Sequence, residues 1–145
     1  MLKGKKVLIT GLTGNTGGTI AEALAPHNEL WGLARYSREG QREFWERMNV
    51  RTVVGDYAQK QFNELPDDFD YVLHIAANTR PDTVEQGLKD NSDGVAYLMD
   101  FCRKAKAFLH VSTAGVYNAP KRDPETLFSE DDALGGGSIG FYTGT

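Results

Sequence analysis

Val7-Leu8-Ile9-Thr10-Gly11-Leu12-Thr13-Gly14-Asn15-Thr16-Gly17-Gly18 decides the fold. An apolar run ends in Thr10-Gly11, and Gly14 and Gly17 follow at steps of three. Ile20, Ala21 and Leu24 then recur at helical spacing until Pro26. The pattern predicts a buried strand, a glycine turn and the opening of a helix. Each glycine has its own physical task. One makes the tight turn, one lets the backbone approach a pyrophosphate, and one lets helix and strand pack closely. The helix start offers free N–H groups and the positive end of its dipole to phosphates. In this strand–turn–helix setting the motif reads as a dinucleotide site, against the plainer alternative of an ordinary Gly-rich β–α turn.

Downstream, Glu29 to Ala34 reads as a second strand ending at Arg35-Tyr36-Ser37-Arg38. In a dinucleotide fold an acid at that end binds the ribose 2′-hydroxyl of NAD, whereas an arginine accommodates the 2′-phosphate of NADP. No acid stands at the strand end. Arg35, with Ser37 and Arg38, can surround a dianionic phosphate, so NADP(H) is favoured over NAD(H). Solvated surface arginines are the bland alternative.

Gln41 to Met48 predicts a short helix with Phe44, Trp45 and Met48 as its apolar face, and Val50 to Val54 a third strand. Asp56, in Gly55-Asp56-Tyr57, either accepts from an adenine amino group or caps the following short helix. Asp70 to Asn78 is a fourth strand and its exit, where Ala76 and Ala77 leave room for a flat ligand. His74 reads as a packed core histidine, and no metal-ligand spacing surrounds it. His27 and His110 look equally structural. A capping-box-like start at Asp82 opens a helix to about Arg103. Asn91 in its middle is a poor helix former, which suggests a polar task, with an ordinary exposed Asn as the plainer alternative. Phe108 to Thr113 is a fifth strand. The segment from Asn118 to Gly140 reads as a long loop, functional or disordered.

The 145 residues amount to one domain. The net charge of −4 gives no electrostatic case for nucleic acid. A single cysteine, Cys102, excludes a disulfide framework and fits a reduced, cytoplasmic setting. The basic residues before Val7 precede an apolar run too short for a signal peptide. No run reaches membrane-spanning length. Five strands alternating with helices predict an α/β Rossmann-type, doubly wound parallel sheet, with ligand outside the carboxyl ends of the strands. Gly11, Gly14, Gly17, Arg35, Asp56, Ala76 and Thr113 all fall at such ends.

Taken together, these elements resemble the extended short-chain dehydrogenase/reductases, the NAD(P)-dependent epimerase/dehydratase family. The resemblance rests on Thr10 to Gly17, Gly55-Asp56-Tyr57, His74-Ile75-Ala76-Ala77, Asn91 with Gly94, and Ser112 to Tyr117. One departure is Asn15-Thr16, where the family usually has an aromatic and an aliphatic residue. The coenzyme set is then Gly11, Thr13, Gly14, Asn15, Thr16 and Gly17; Arg35, Ser37 and Arg38; Asp56 and Tyr57; and Ala76, Ala77 and Asn78. The resemblance implies a catalytic Thr113, with Tyr142 in the Tyr-x-x-x-Lys place and Asn91 holding a relay water. The Lys would be the next residue after Thr145, where the sequence stops. Residues 1–145 are thus expected to be the N-terminal, coenzyme-binding part of a longer reductase or epimerase acting on a small-molecule carbonyl or hydroxyl, inactive or nearly so alone, with an apolar sheet face and edge exposed. A non-catalytic dinucleotide-binding or redox-sensing module is the alternative. Homodimerisation through the helix carrying Asn91 is a further implication.

Overall fold

The first strand, β1 (Lys6–Thr10), is buried from Val7 onward. Val7 and Ile9 enter one apolar layer and Leu8 the other. That is the alternation of a strand covered on both faces. The computed structural model describes residues 2–117 and 127–133. Within them β2 (Glu29–Ala34), β3 (Val50–Val54), β4 (Tyr71–His74) and β5 (Ala107–His110) join β1 in one sheet. Every pairing is parallel, and the spatial order is β3-β2-β1-β4-β5. The doubly wound prediction therefore holds. The chain order reverses between β1 and β4, which opens a crevice at their carboxyl ends.

One face is covered by α1 (Asn15–Leu24) and α2 (Gln41–Arg47) through Ala21 and Trp45, with Leu12 beside them. The other packs Leu8, Leu33, Val53 and Val72 against Leu98 and Cys102, with Phe62, Leu65 and Phe69. Of the predicted aromatic face on α2, Trp45 enters the core, but Phe44 stays 41% exposed.

β2 and β3 have the predicted bounds. β5 is shorter than predicted, for a geometric reason. β4 ends at His74, opposite His110, so the ladder has no partner beyond that point. A last bond, Val111 N to His74 O at 3.0 Å, closes it. Leu109 on β5 is 54% exposed and Val111 37%. The helix predicted through Asn91 also differs. It comprises α3 (Val84–Leu88), a π turn (Lys89–Asp93) and α4 (Gly94–Phe101). Thr83 is its N-cap, accepting from Gln86 N. Of the predicted long loop, residues 118–126 and 134–140 lie outside the described residues.

Candidate functional site

The carboxyl ends of β1, β2, β3 and β4 surround a cleft of about 480 Å³. Its floor begins at Gly11, whose φ of +74° is left-handed. A Cβ on Gly11 would also stand 2.7 Å from Ala76 N. The position therefore demands glycine twice, for conformation and for closeness to the β4 exit. Gly17 is buried away from the cleft, and a Cβ there would lie 2.2 Å from Gly11 O. It is the close-packing glycine of the motif. Gly14 is the N-cap of α1 and has no side chain to bond the first turn. The orphan N–H groups of a helix start are left for an acceptor from outside the helix.

Of the sequence-predicted coenzyme residues, Gly11, Thr13, Gly14, Arg35, Asp56, Tyr57, Ala76, Ala77 and Asn78 line this cleft. Asn15, Thr16, Gly17, Ser37 and Arg38 do not. Asn15 and Thr16 are exposed in the first turn of α1, and Ser37 and Arg38 are exposed beyond β2. Arg35 has no ion-pair partner among the described residues. Asp56 accepts from Ala58 N at 2.9 Å, capping a turn of 3-10 helix. One carboxylate oxygen is thus a cap, and the residue still borders the cleft.

The β4 exit is held by two networks. In the first, Thr10 Oγ1 accepts from Ile75 N and Ala76 N, both at 3.2 Å. With its acceptor side taken by two amides, the Thr10 hydroxyl donates to His74 Nδ1, 2.9 Å away. The imidazole proton then resides on Nε2. That atom is buried without a hydrogen-bond partner among the described residues. The rings of Tyr57, Phe108 and His110 surround it. His74 is thus the packed core histidine that the sequence predicts. In the second network Asn91 and Asn78 bond reciprocally. Asn78 N donates to Asn91 Oδ1 at 2.8 Å, and Asn91 Nδ2 donates to Asn78 O at 2.9 Å. Asn78 Nδ2 donates to Asp90 Oδ2 at 2.9 Å, while Gln86 Nε2 donates to Asp90 Oδ1. The π turn makes this geometry. Its wider winding lets the adjacent Asp90 and Asn91 both reach Asn78.

Burial, with the His110 charge adding to it, pushes His74 down from 6.5 to about 4. The native state therefore refuses a proton that the unfolded chain accepts in that window. Stability is complete above pH 6.5 and declines on acidification toward pH 4, by roughly 3 kcal/mol in the limit. His74→Asn keeps an acceptor for Thr10 and cannot titrate. Its denaturation midpoint should change less between those pH values than that of wild type; parallel curves would refute the assignment.

Thr113 follows β5, half-buried, its Oγ1 accepting from Gly115 N at 3.2 Å. It is not part of the cleft lining. Tyr142 lies outside the described residues. Sequence reasoning missed Thr10, whose hydroxyl ties β1 to the β4 exit, and also Thr79, Arg80 and Asp90 in the lining. A basic residue just past a strand exit was the available signal for Arg80. No group of His, Cys, Asp and Glu among the described residues has metal-binding geometry. No helix among them is long and apolar enough to cross a membrane.

Residues 7–138 match the NAD dependent epimerase/dehydratase family. The UDP-N-acetylglucosamine 4,6-dehydratase (inverting) of Campylobacter jejuni is 27% identical over 154 residues, covering 94% of this chain and 46% of that protein. The L-arabinose 1-dehydrogenase (NAD(P)(+)) of Haloferax volcanii is 28% identical over 138 residues, covering 90% and 51%. Among solved structures, UDP-N-acetylglucosamine 4-epimerase from Methanobrevibacter ruminantium M1, in complex with UDP-N-acetylmuramic acid, superposes with a TM-score of 0.77. It is 23% identical, covering 99% of this chain and 47% of that one, a likeness of fold. The chain spans about half the length of the curated relatives it matches.

Proposed function

Because the chain belongs to the NAD dependent epimerase/dehydratase family, we propose that it is the coenzyme-binding half of an enzyme acting on a hydroxyl or carbonyl of a small molecule, with NADP(H) favoured over NAD(H). The observation that carries this is the cleft at the β1/β4 reversal, where Gly11 leaves no room for a side chain and Arg35 stands without an ion-pair partner among the described residues. A dinucleotide fits that lining. Gly11, Thr13 and Gly14 would hold the diphosphate at the start of α1, and Ala76 and Ala77 would leave space for a flat group. Asp56 borders the cleft with one oxygen bonded by Ala58 N, and the other would accept from the adenine amino group. When bound, the nicotinamide would supply or accept the hydride.

The remaining chemistry falls to side chains. Thr113 holds the substrate oxygen, and Tyr142 gives or takes its proton. A free phenol titrates near ~10, so Tyr142 needs a neighbouring cation to serve as a base at neutral pH. The lysine that completes Tyr-x-x-x-Lys would supply it. Asn91 braces the β4 exit through Asn78 and, in this reading, also holds the relay water. The relatives' names span nucleotide sugars and an aldose, so a sugar-type polyol is the substrate class we favour. Val84, Leu88 and Met99 are exposed on α3 and α4. They support homodimerisation through that surface. The lone Cys102 is buried and forms no disulfide, which supports a cytoplasmic setting.

Equilibrium titration with NADPH and NADH tests the coenzyme assignment. Wild type should bind NADPH more tightly. Arg35→Ala should weaken NADPH roughly tenfold or more, the worth of a charge-assisted hydrogen bond, and leave NADH unchanged. Equal affinities for the two in wild type would overturn the preference for NADP(H), and no binding of either would overturn the whole reading.

A further inference from the structure

β2 ends at Ala34, Arg35 lines the cleft, and Ser37 and Arg38 do not. The residue between them is Tyr36, at a φ of +44°. That left-handed conformation is uncommon for a residue with a Cβ and persists only where the surroundings over-determine it. The surroundings do so. Tyr36 Oη donates to Gly32 O at 2.9 Å, and the ring packs against the cluster that contains Leu12. Gly32 makes the room. A Cβ on it would stand 2.9 Å from Tyr36 Oη and 2.5 Å from a Leu12 methyl. Leu12 belongs to the glycine turn and to the same cluster, so Tyr36 ties the exit of β2 back to its own strand beside that turn. We infer that Tyr36 is a positioning residue for coenzyme selection: its tethered phenol fixes the left-handed backbone at the end of β2, past which Arg35, and neither Ser37 nor Arg38, borders the cleft.

The inference rests on the NADP(H) reading above. Arg35 has no ion pair to hold it among the described residues, so its backbone must. The tether is available throughout the working pH range, because burial raises the Tyr36 phenol above its ordinary value. Arg42 opposes that rise, and Glu46 adds to it. The hydroxyl therefore stays a donor.

The test compares wild type, Tyr36→Phe, Arg35→Ala and the double variant, titrated with NADPH and with NADH, with thermal melting as a check on the fold. Tyr36→Phe should weaken NADPH roughly three- to tenfold, as for one neutral hydrogen bond, and leave NADH unchanged. The double variant should bind NADPH no more weakly than Arg35→Ala alone, because the phenol acts only through that arginine. Tyr36→Asn, at ease in the left-handed region but without the tether, should behave like Tyr36→Phe and guards against a failure to fold. An NADPH/NADH ratio collapsed by Arg35→Ala but untouched by Tyr36→Phe overturns this inference alone. Equal weakening of both nucleotides, or loss of fold in both Tyr36 variants, makes the phenol merely structural and also overturns it. A ratio unmoved by Arg35→Ala removes the coenzyme reading, and this inference with it.

Discussion

Gly17→Ala should unfold the site. Alanine inside a helix ordinarily stabilises it by about 0.5–1 kcal/mol relative to glycine. At this position the new Cβ would meet Gly11 O at 2.2 Å and Gly11 C at 2.6 Å, both backbone atoms. Neither can swing aside as a side chain could, so α1 must move off β1. The expected loss is roughly 3 kcal/mol or more, the upper range for overpacking a close-fitted interior. The control is Gly14→Ala. Its Cβ would lie 3.4 Å from Gly11 O, an ordinary contact, and the N-cap φ of −96° suits alanine. That protein should melt close to wild type yet bind coenzyme more weakly, because Gly14 borders the cleft. The pair separates folding from binding. A Gly17→Ala chain that melts at or above wild type would contradict the packing account.

Tyr142→Phe, in a chain carried through the lysine that the family pattern places next, should reduce kcat by roughly 10²–10⁴, the usual worth of a positioned acid–base group. Coenzyme affinity should be preserved, because the proposed task of that phenol is proton transfer with the substrate, not holding the coenzyme. NADPH oxidation with a carbonyl substrate measures the first quantity, and a coenzyme titration the second. A kcat equal to that of the parent would remove Tyr142 from the chemistry and leave a nucleotide-binding module. Positioning alone supplies ~7–11 kcal/mol of many barriers, so the 145-residue chain should be nearly inactive compared with the extended one.

Much of this is legible in the sequence. Val7-Leu8-Ile9 followed by spaced glycines specifies strand, turn and helix because each requirement is local: burial, a left-handed turn and close approach. β2 and β3 could be bounded for the same reason. β5 could not. Its end is set by where β4 stops, a property of the partner strand. The π turn at Lys89 to Asp93 also escaped, because helical periodicity does not reveal one wider turn. Asn91 stood out as an unfavourable helix residue, but its partner Asn78 lies 13 residues away in sequence and across the fold.

The sequence by itself determined the class of sheet, the glycine turn and the basic end of β2, since strand alternation, glycine and charge act over a few neighbours. The tertiary structure alone decided which of three clustered polar residues faces the cleft. Arg35 does, and Ser37 and Arg38 do not, on either side of a left-handed Tyr36 that bonds back to Gly32. It also decided that Thr10 and His74 brace the β4 exit, a pairing made only once β1 and β4 lie side by side. Those contacts depend on distances between residues remote in the chain, which only the packed sheet brings within hydrogen-bonding reach.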